Sequence, residues 1–573
     1  MAGALWLLGL YGAAPALRTS ARYETADRLR DALVLGIAIP LALGFVHALY
    51  PLTCWLALAA SLIAAYLRRV PDETPAAASA APPYLLAAAL AIVAWPPLMR
   101  PLLEGDSTSY HLPNAAAWLQ AHSLWTEATR YWWYPPASEL FASGLYATGG
   151  PFALPWSGVA AIALLGFRLV TWAREEFGAS PLLADALAAA TVTALPIALQ
   201  AGTLQNDVWL AAFWLESLWA IGRDRGAAMR AIAVTALLKP QGWLFALIAL
   251  VTSRARISIW LAAASALGLW VLHDALAWRY AAFAPGDATW GAPGSSIAAH
   301  GAPAIAMLAD VLLRDSPFAF VALAAALLGP LASSHRRLGW AAFGAAVIFL
   351  ALPFGYATNV AQLATGASLR FAAPALAAGA LLVLPAARRF GTIATALLVI
   401  SAIYGAGLIV ALFYNDAPTR LAVPLAMLAL AVVALARKIG NAGPVAAGIV
   451  AIALAANALA AAHPVDFYAD ALRVRARPTG VYAWLASSRP NAIGGWGLAL
   501  GSANVLSPGT RTVDLPDEGA CAIANRDGLL LVALAEDGRS DAFNAARLAA
   551  ARHCGTVRYD DGKAVVVAPA APR

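Results

Sequence analysis

The chain has 573 residues, and 38 Lys/Arg against 31 Asp/Glu give 38 − 31 = +7, with only 12% of residues charged, about half the ~25% of a soluble domain. With 61% hydrophobic residues and a mean hydropathy of +0.69, its apolar surface exceeds what a water-soluble interior can bury. A soluble enzyme, a disordered hub and a nucleic-acid binder are excluded, because the small positive excess is spread over many short loops instead of forming one basic face. An all-α polytopic membrane protein remains.

A hydrocarbon core of ~30 Å takes about 20 mostly apolar residues per helix. Such runs lie at 4–17, 33–50, 52–67, 84–102, 151–173, 181–200, 207–222, 229–238, 240–253, 257–277, 317–332, 338–354, 371–386, 391–413, 421–436 and 444–462, about 13–16 membrane segments. Basic residues accumulate in cytoplasmic loops, and here they fall on alternate loops: Arg18, Arg22, Arg28 and Arg30, then Arg68 and Arg69, Arg174, Arg223 and Arg225, Arg254 and Arg256, Arg336 and Arg337, Arg388 and Arg389, and Arg437 with Lys438. The intervening loops, 103–150, 201–206, 278–316, 355–370 and 414–420, are richer in Trp, Tyr, Asp and Pro and are expected on the extracytoplasmic side with the tail from 463. The chain is thus expected in the plasma (inner) membrane, multi-pass, with its tail facing the periplasm or cell exterior. Two half-length apolar stretches flank Lys239-Pro240-Gln241-Gly242, the pattern of a broken helix that lines a cavity. The Gly/Pro-rich loop 278–303 suits a gate or a plain connector.

From about 463 the composition turns polar, with short Leu/Val runs at 529–534 and 564–568, a helix-like DAFNAARLAAARH at 541–553, and turn signals at Asp537-Gly538 and Asp561-Gly562. This reads as a small α/β domain. Three cysteines exclude a disulfide scaffold; Cys54 lies in an apolar segment, and only Cys521 and Cys554, both in the tail, can pair, if the tail meets an oxidising compartment.

The loop from Glu104 to Gly150 has a density of acids, histidines and aromatics unmatched elsewhere. An acid just beyond a membrane helix is dehydrated by the interface, which raises its basicity and suits it to take a proton from a hydroxyl. Asp106 is that acid, with Glu104 behind it; the plainer reading makes Asp106 a cap of the following helix. Tyr110, His111, Trp118 and Trp132-Trp133-Tyr134 also read as an interfacial aromatic belt, the favoured reading for the tryptophans.

The larger pattern resembles the GT-C superfamily of integral-membrane glycosyltransferases, in the branch that holds the protein O-mannosyltransferases and the lipid A aminoarabinose transferases. Asp106-Ser107-Thr108-Ser109-Tyr110-His111-Leu112-Pro113 followed by Trp118 looks like the acidic opening of that branch's first outer loop, and Tyr134-Pro135-Pro136 with Glu139 like its Pro-bearing turn. Gln205-Asn206-Asp207 is similar to the second acid, Lys239-Pro240-Gln241-Gly242 to the lysine-and-glycine hairpin, and Ser368-Leu369-Arg370-Phe371 with Pro374 to the Arg-aromatic-Pro motif. The resemblance covers roughly 84–375 and departs in two ways: an Asp-Ser opening in place of the Asp-Glu doublet of the eukaryotic O-mannosyltransferases, and extra helices before the core. It implies 1–83 as extra N-terminal membrane helices, 84–462 as a GT-C-like catalytic region with outer loop 103–150, and 463–573 as an extracytoplasmic domain.

What the resemblance implies is transfer of a sugar from a polyprenyl-phosphate donor to a hydroxyl on a lipid, glycan or protein, with inversion and with Asp106 as base. Glu104, Tyr110, His111, Tyr134, Glu139, Asp207, Lys239 and Arg370 would line the substrate site. No cofactor is required by the sequence, although Asp207, Glu104 and His111 offer donors for a divalent cation without any i, i+4 ligand spacing. A polysaccharide polymerase or ligase would share the lipid-linked donor but lean on Arg-rich outer loops, and a transporter would show charges inside spans and paired halves. The polar residues here gather in one outer loop with no second half repeating it.

Overall fold

In lipid every backbone N–H and C=O must be satisfied within its own segment, so an apolar chain of this kind folds as helices. The computed structural model describes residues 2–19, 23–68, 82–98, 106–126, 133–278, 296–352, 366–413, 480–496, 498–516, 518–535 and 541–570. The expected segments 421–436 and 444–462, and most of the loop 278–303, lie outside the described residues.

The N-terminal helices are α1 (Ala2–Ala13), α2 (Thr25–Phe45), α3 (Pro51–Leu67) and α4 (Tyr84–Leu98). In the long loop, α5 (Leu112–Ala121) and α6 (Ala137–Gly149) follow, and the chain continues with α7 (Trp156–Glu175), α8 (Pro181–Val192), the short α9 (Leu195–Ala198), α10 (Asp207–Ala220), α11 (Arg225–Ala236) and α12 (Gly242–Thr252). Next come α13 (Ile257–Trp278), α14 (Ile297–Asp315), α15 (Pro317–Leu327), α16 (Arg336–Ala351), α17 (Ala373–Phe390) and α18 (Thr392–Phe413). Among the described residues five helices are long and apolar enough to cross a membrane: Pro151–Glu175, Ile257–Ala277, Ile297–Asp315, Leu369–Phe390 and Thr392–Ile409. Outer helices present large apolar side chains outward, such as Leu269, Leu272 and Leu276 on α13 and Ile393, Leu397 and Ile400 on α18, as lipid-facing surfaces require.

Two expectations change here. The segment 297–315 is a helix and not part of a loop; Gly301, at φ +61°, kinks it beside Pro303, and these breakers with Asp310, Arg314 and Asp315 hide its apolar face from a hydropathy reading. Arg30 is not a loop arginine: it lies inside α2 and is buried.

Helix α10 is buried on every side, the signature of a central helix, and it packs against α7, α11 and α17. Its far end carries the reason Arg30 is inside. Arg168 of α7 donates to Glu216 of α10 at 2.6 and 3.0 Å and to Asp27 of α2 at 2.6 Å. Arg30 pairs with Asp27 at 3.0 Å and Asp31 at 2.9 Å, and Arg230 of α11 with Asp31 at 3.1 Å. Three guanidinium groups thus meet three carboxylates, tying α2, α7, α10 and α11 together. Truncating one member leaves the others charged and dry, which typically costs roughly 3–5 kcal/mol. Glu216→Ala is therefore expected to lower stability by about that amount, read by thermal unfolding in detergent; a loss under about 1 kcal/mol would mean that water reaches the cluster.

The C-terminal region folds as a separate α/β layer. Helices α19 (Gly480–Ser488), α20 (Leu498–Leu506), α21 (Ala520–Arg526) and α22 (Asp541–Arg552) accompany β1 (Ala492–Gly495), β2 (Arg511–Asp514), β3 (Leu530–Leu534), β4 (Gly555–Asp560) and β5 (Ala564–Pro569). The sheet order is β2-β1-β3-β5-β4, with β1 parallel to β2 and β3, and β5 antiparallel to β3 and β4. The runs read as strands are β3 and β5, and the helix read at 541–553 is α22. Cys521 and Cys554 are joined by a disulfide with Cα atoms 5.1 Å apart. One apolar cluster runs from this layer into the membrane part: Leu485, Leu500, Ala503 and Val566 share it with Leu112, Ala115, Leu154 and Leu204.

Candidate active site

The centre of the site is assembled by helix beginnings. Asp106 leads into a π-helical turn, Ser107–His111, which the Leu112 N–H closes onto the Ser107 carbonyl before α5 continues; π-turns of this kind recur at functional sites. The side chain of Asp106 makes no capping bond to this turn, so the cap reading fails. Ser107 Oγ instead accepts from the Leu204 backbone N–H at 2.8 Å, fastening the turn to the loop that delivers Asp207. Asp207 opens α10, where the helix dipole favours a carboxylate. Asn206 donates to the Leu238 carbonyl at 2.8 Å, which brings in the break between α11 and α12. A Cβ on Gly242 would lie 2.3 Å from the Thr235 carbonyl oxygen, so only glycine lets the chain double back there and present Lys239. Arg370 sits in the 3-10 turn Gly366–Ala372 that feeds α17.

These four side chains form one alternating row of charge. Arg370 Nη2 is hydrogen-bonded to Asp106 Oδ2, and Arg370 Nε lies 3.2 Å from Asp207 Oδ2, while Lys239 Nζ is hydrogen-bonded to Asp207 Oδ1. The Phe371 ring lies under both cations, 4.5 Å from Lys239 Nζ and 5.0 Å from the Arg370 guanidinium. Asp207 and Lys239 are buried, whereas the Asp106 side chain keeps 38% of its accessible surface. The row is therefore closed at Lys239 and open at Asp106.

Beside it, His111 Nδ1 lies 2.6 Å from Glu139 Oε1, and Ser138 Oγ donates to Glu139 Oε2 at 2.8 Å. A carboxylate beside Nδ1 accepts its N–H and fixes the orientation of the ring. Tyr110 packs on His111 at 4.1 Å between ring centroids and meets Tyr134 edge-on at 5.9 Å. Burial raises the Tyr110 phenol well above its ordinary range, and the negative charge of Asp106 raises it further, so the hydroxyl keeps its proton.

Of the residues singled out in the sequence, Asp106, Tyr110, His111, Tyr134, Glu139, Asp207, Lys239 and Arg370 meet around this one site. Glu104 lies outside the described residues. Trp118 and Trp133 depart from the belt expectation, and Trp132 lies outside the described residues. Trp118 and Trp133 are buried: Trp118 packs on Trp270 of α13, and the Trp270 indole donates to the Trp133 carbonyl at 3.3 Å, so they cement the loop onto α13. Raised basicity at Asp106 is also overturned. Burial does oppose its charge, but the Arg370 guanidinium, with support from His111 and Lys239, outweighs that penalty and holds the carboxyl below the usual carboxylate range. Of the three donors named for a divalent cation, Asp207, Glu104 and His111, Glu104 lies outside the described residues. Asp106 and Asp207 are occupied by Arg370 and Lys239, His111 Nδ1 faces Glu139, and among the described residues no three His, Cys, Asp or Glu side chains converge.

No protein-family model and no curated protein matches the sequence. Among solved structures the chain is similar to the crystal structure of ArnT from Cupriavidus metallidurans bound to undecaprenyl phosphate, with 16% identity, a TM-score of 0.49, and coverage of 85% of this chain and 98% of that one. At that similarity the site is read from its own geometry.

That geometry fixes a pH dependence. Because the folded-state pKa of Asp106 is lowered, its ion pair stabilises the fold above the ordinary carboxylate value of ~3.9 and loses that contribution as pH falls through the lowered value. The Tm difference between wild type and Asp106→Asn is expected to be constant from about pH 5 to 8 and to close below about pH 4. A gap that closes near neutrality would mean that the carboxyl is raised.

Proposed function

We propose that the chain is an inverting membrane glycosyltransferase of the GT-C kind, moving a sugar from a polyprenyl-phosphate donor to a hydroxyl of a lipid, glycan or protein acceptor. The observation that carries this is the Asp106–Arg370 pair, a carboxylate half open to solvent bound to a guanidinium that is itself backed by Asp207 and Lys239. A guanidinium binds phosphate as well as carboxylate, with the same planar fork. A donor phosphate entering between Arg370 and Lys239 competes with Asp106 for Arg370. Released from its partner in a partly dehydrated site, the Asp106 carboxylate becomes more basic.

The chemistry then follows in one displacement. The acceptor hydroxyl attacks the anomeric carbon while its proton passes to Asp106, and the bond from the anomeric carbon to the phosphate oxygen breaks on the opposite face. The polyprenyl phosphate leaves with the added negative charge, which Arg370 and Lys239 meet. Tyr110, Tyr134 and the His111–Glu139 pair form the wall beside Asp106 where hydroxyl groups of sugar or acceptor find donors and acceptors. The pairing of Asp106 with Arg370 thereby acquires a purpose: the base is held quiet until the donor is seated.

Purified, folded Asp106→Asn is expected to lose transfer by roughly 10²–10⁴-fold, the usual loss on removing a general base. In the same assay Arg370→Ala should weaken apparent donor affinity more than acceptor affinity, with Arg370→Lys recovering it in part because the planar fork is lost. Turnover near the wild-type rate in Asp106→Asn would remove the base from the mechanism.

The site is proposed to face the periplasm or cell exterior. What supports this is the gathering of Arg174, Arg223, Arg336, Arg388 and Arg389 at helix ends opposite those that carry Asp207 and Arg370, as the positive-inside rule requires. A reporter fused after Arg573 that fluoresces only in the cytoplasm is expected to stay dark in intact cells. A bright reporter would invert the orientation and rule out an external lipid-linked donor.

A further inference from the structure

We propose that the C-terminal α/β domain is a working part of the site, and that Gly501 is a positioning residue whose missing side chain sets where Asp106 stands. The inference rests on the reading of Asp106 as the base. Helix α20 lies directly on the π-helical turn that Asp106 opens, and a methyl group at Gly501 would sit 2.1 Å from the Thr108 carbonyl oxygen, 2.5 Å from its Cα and 2.6 Å from its carbonyl carbon. All three are backbone atoms, so no side-chain rotation makes room. Glycine is the poorest helix former after proline, yet it stands in the middle of α20.

The turn is thus gripped from two sides. Below, Ser107 Oγ takes the Leu204 N–H from the Asp207 loop; above, α20 presses on the very next residue. The grip is extended by polar ties between the two parts: Tyr146 Oη donates to the Asn504 carbonyl at 2.8 Å, Gln120 Nε2 to the Thr510 carbonyl at 2.8 Å, and the Thr512 N–H to Gln120 Oε1 at 3.3 Å. Leu112 and Ala115, just past the turn, are buried in the same apolar cluster as Leu500 and Ala503. Neither the turn nor α20 can shift without the other. A base displaced by about 1 Å loses on the order of 10²-fold in rate, so the contact acts chiefly on turnover; because Asp106 competes with the donor phosphate for Arg370, its displacement leaves donor binding unchanged or tighter, never weaker.

The test uses the full-length enzyme and reads kcat, donor KM and amide hydrogen exchange in wild type, Gly501→Ala, Gln120→Ala and Asp106→Asn. Gly501→Ala is expected to lose kcat by roughly 10²-fold with donor KM unchanged or lowered, with faster exchange at 107–112 and intact protection of β3 and β5. Gln120→Ala, which introduces no clash, should shift kcat and exchange at 107–112 in the same direction by less. Unchanged exchange at 107–112 in both variants overturns the positioning role. So does wild-type turnover in both while Asp106→Asn is inactive. If Asp106→Asn is itself active, the base assignment is what has failed.

Discussion

Everything at the site depends on one electrostatic constraint: two carboxylates and two cations share a cramped, partly dry space, and each is tolerable only because of the others. Asp207 and Lys239 are buried, and each compensates the cost of burying the other's charge. Arg370 links this closed pair to Asp106, which still reaches water. The arrangement dictates where elements must begin. Asp207 at the head of α10, Lys239 at the chain reversal, Arg370 just ahead of α17 and Asp106 at a π-turn all arrive at one level because four segments start or break there. Helices α10 and α17 are core elements, so the charges are placed by the most rigid part of the molecule.

The opposite end of the bundle solves the same problem with a smaller opening. Arg30, Arg168 and Arg230 neutralise Asp27, Asp31 and Glu216, and the cluster is flanked by Trp219, whose ring lies 5.0 Å from the Arg168 guanidinium. The contrast is instructive. No member of that cluster is more than 18% exposed, and it ties four helices together, whereas the row at the site presents Asp106 with 38% of its side chain accessible.

Membrane character, most helix positions and the C-terminal α/β layer were legible because apolar run length and turn residues are local signals. The helix over 297–315 was not, since its Gly and Pro mimic a connector. Of the side chains that converge there, Asp106 and Lys239 stood out as an acid in a polar loop and a lysine at presumed membrane depth, anomalies in so apolar a chain, whereas Asp207 and Arg370 were marked only by the family resemblance. Their pairing was invisible. Asp106 and Arg370 are far apart in sequence, and whether burial or a cation dominates a carboxyl depends on a neighbour that local composition does not reveal. Glu216 and Arg168 went unremarked inside apolar runs for the same reason. Gly501 gave no signal at all, because a glycine in an Ala-rich stretch says nothing about what approaches it.

The shared core between the two parts has a consequence for biogenesis. Strand β5 lies inside the sheet, flanked by β3 and β4, and is the last of the described strands to be synthesised. Its Val566 belongs to the apolar cluster that also holds Leu112 beside the Asp106 turn. A nascent chain in which Asp106, Asp207, Lys239 and Arg370 have already been inserted still lacks the surface that braces the first of them. A chain ended before β5 would lack this part of the shared core, and with it part of the packing beside the Asp106 turn.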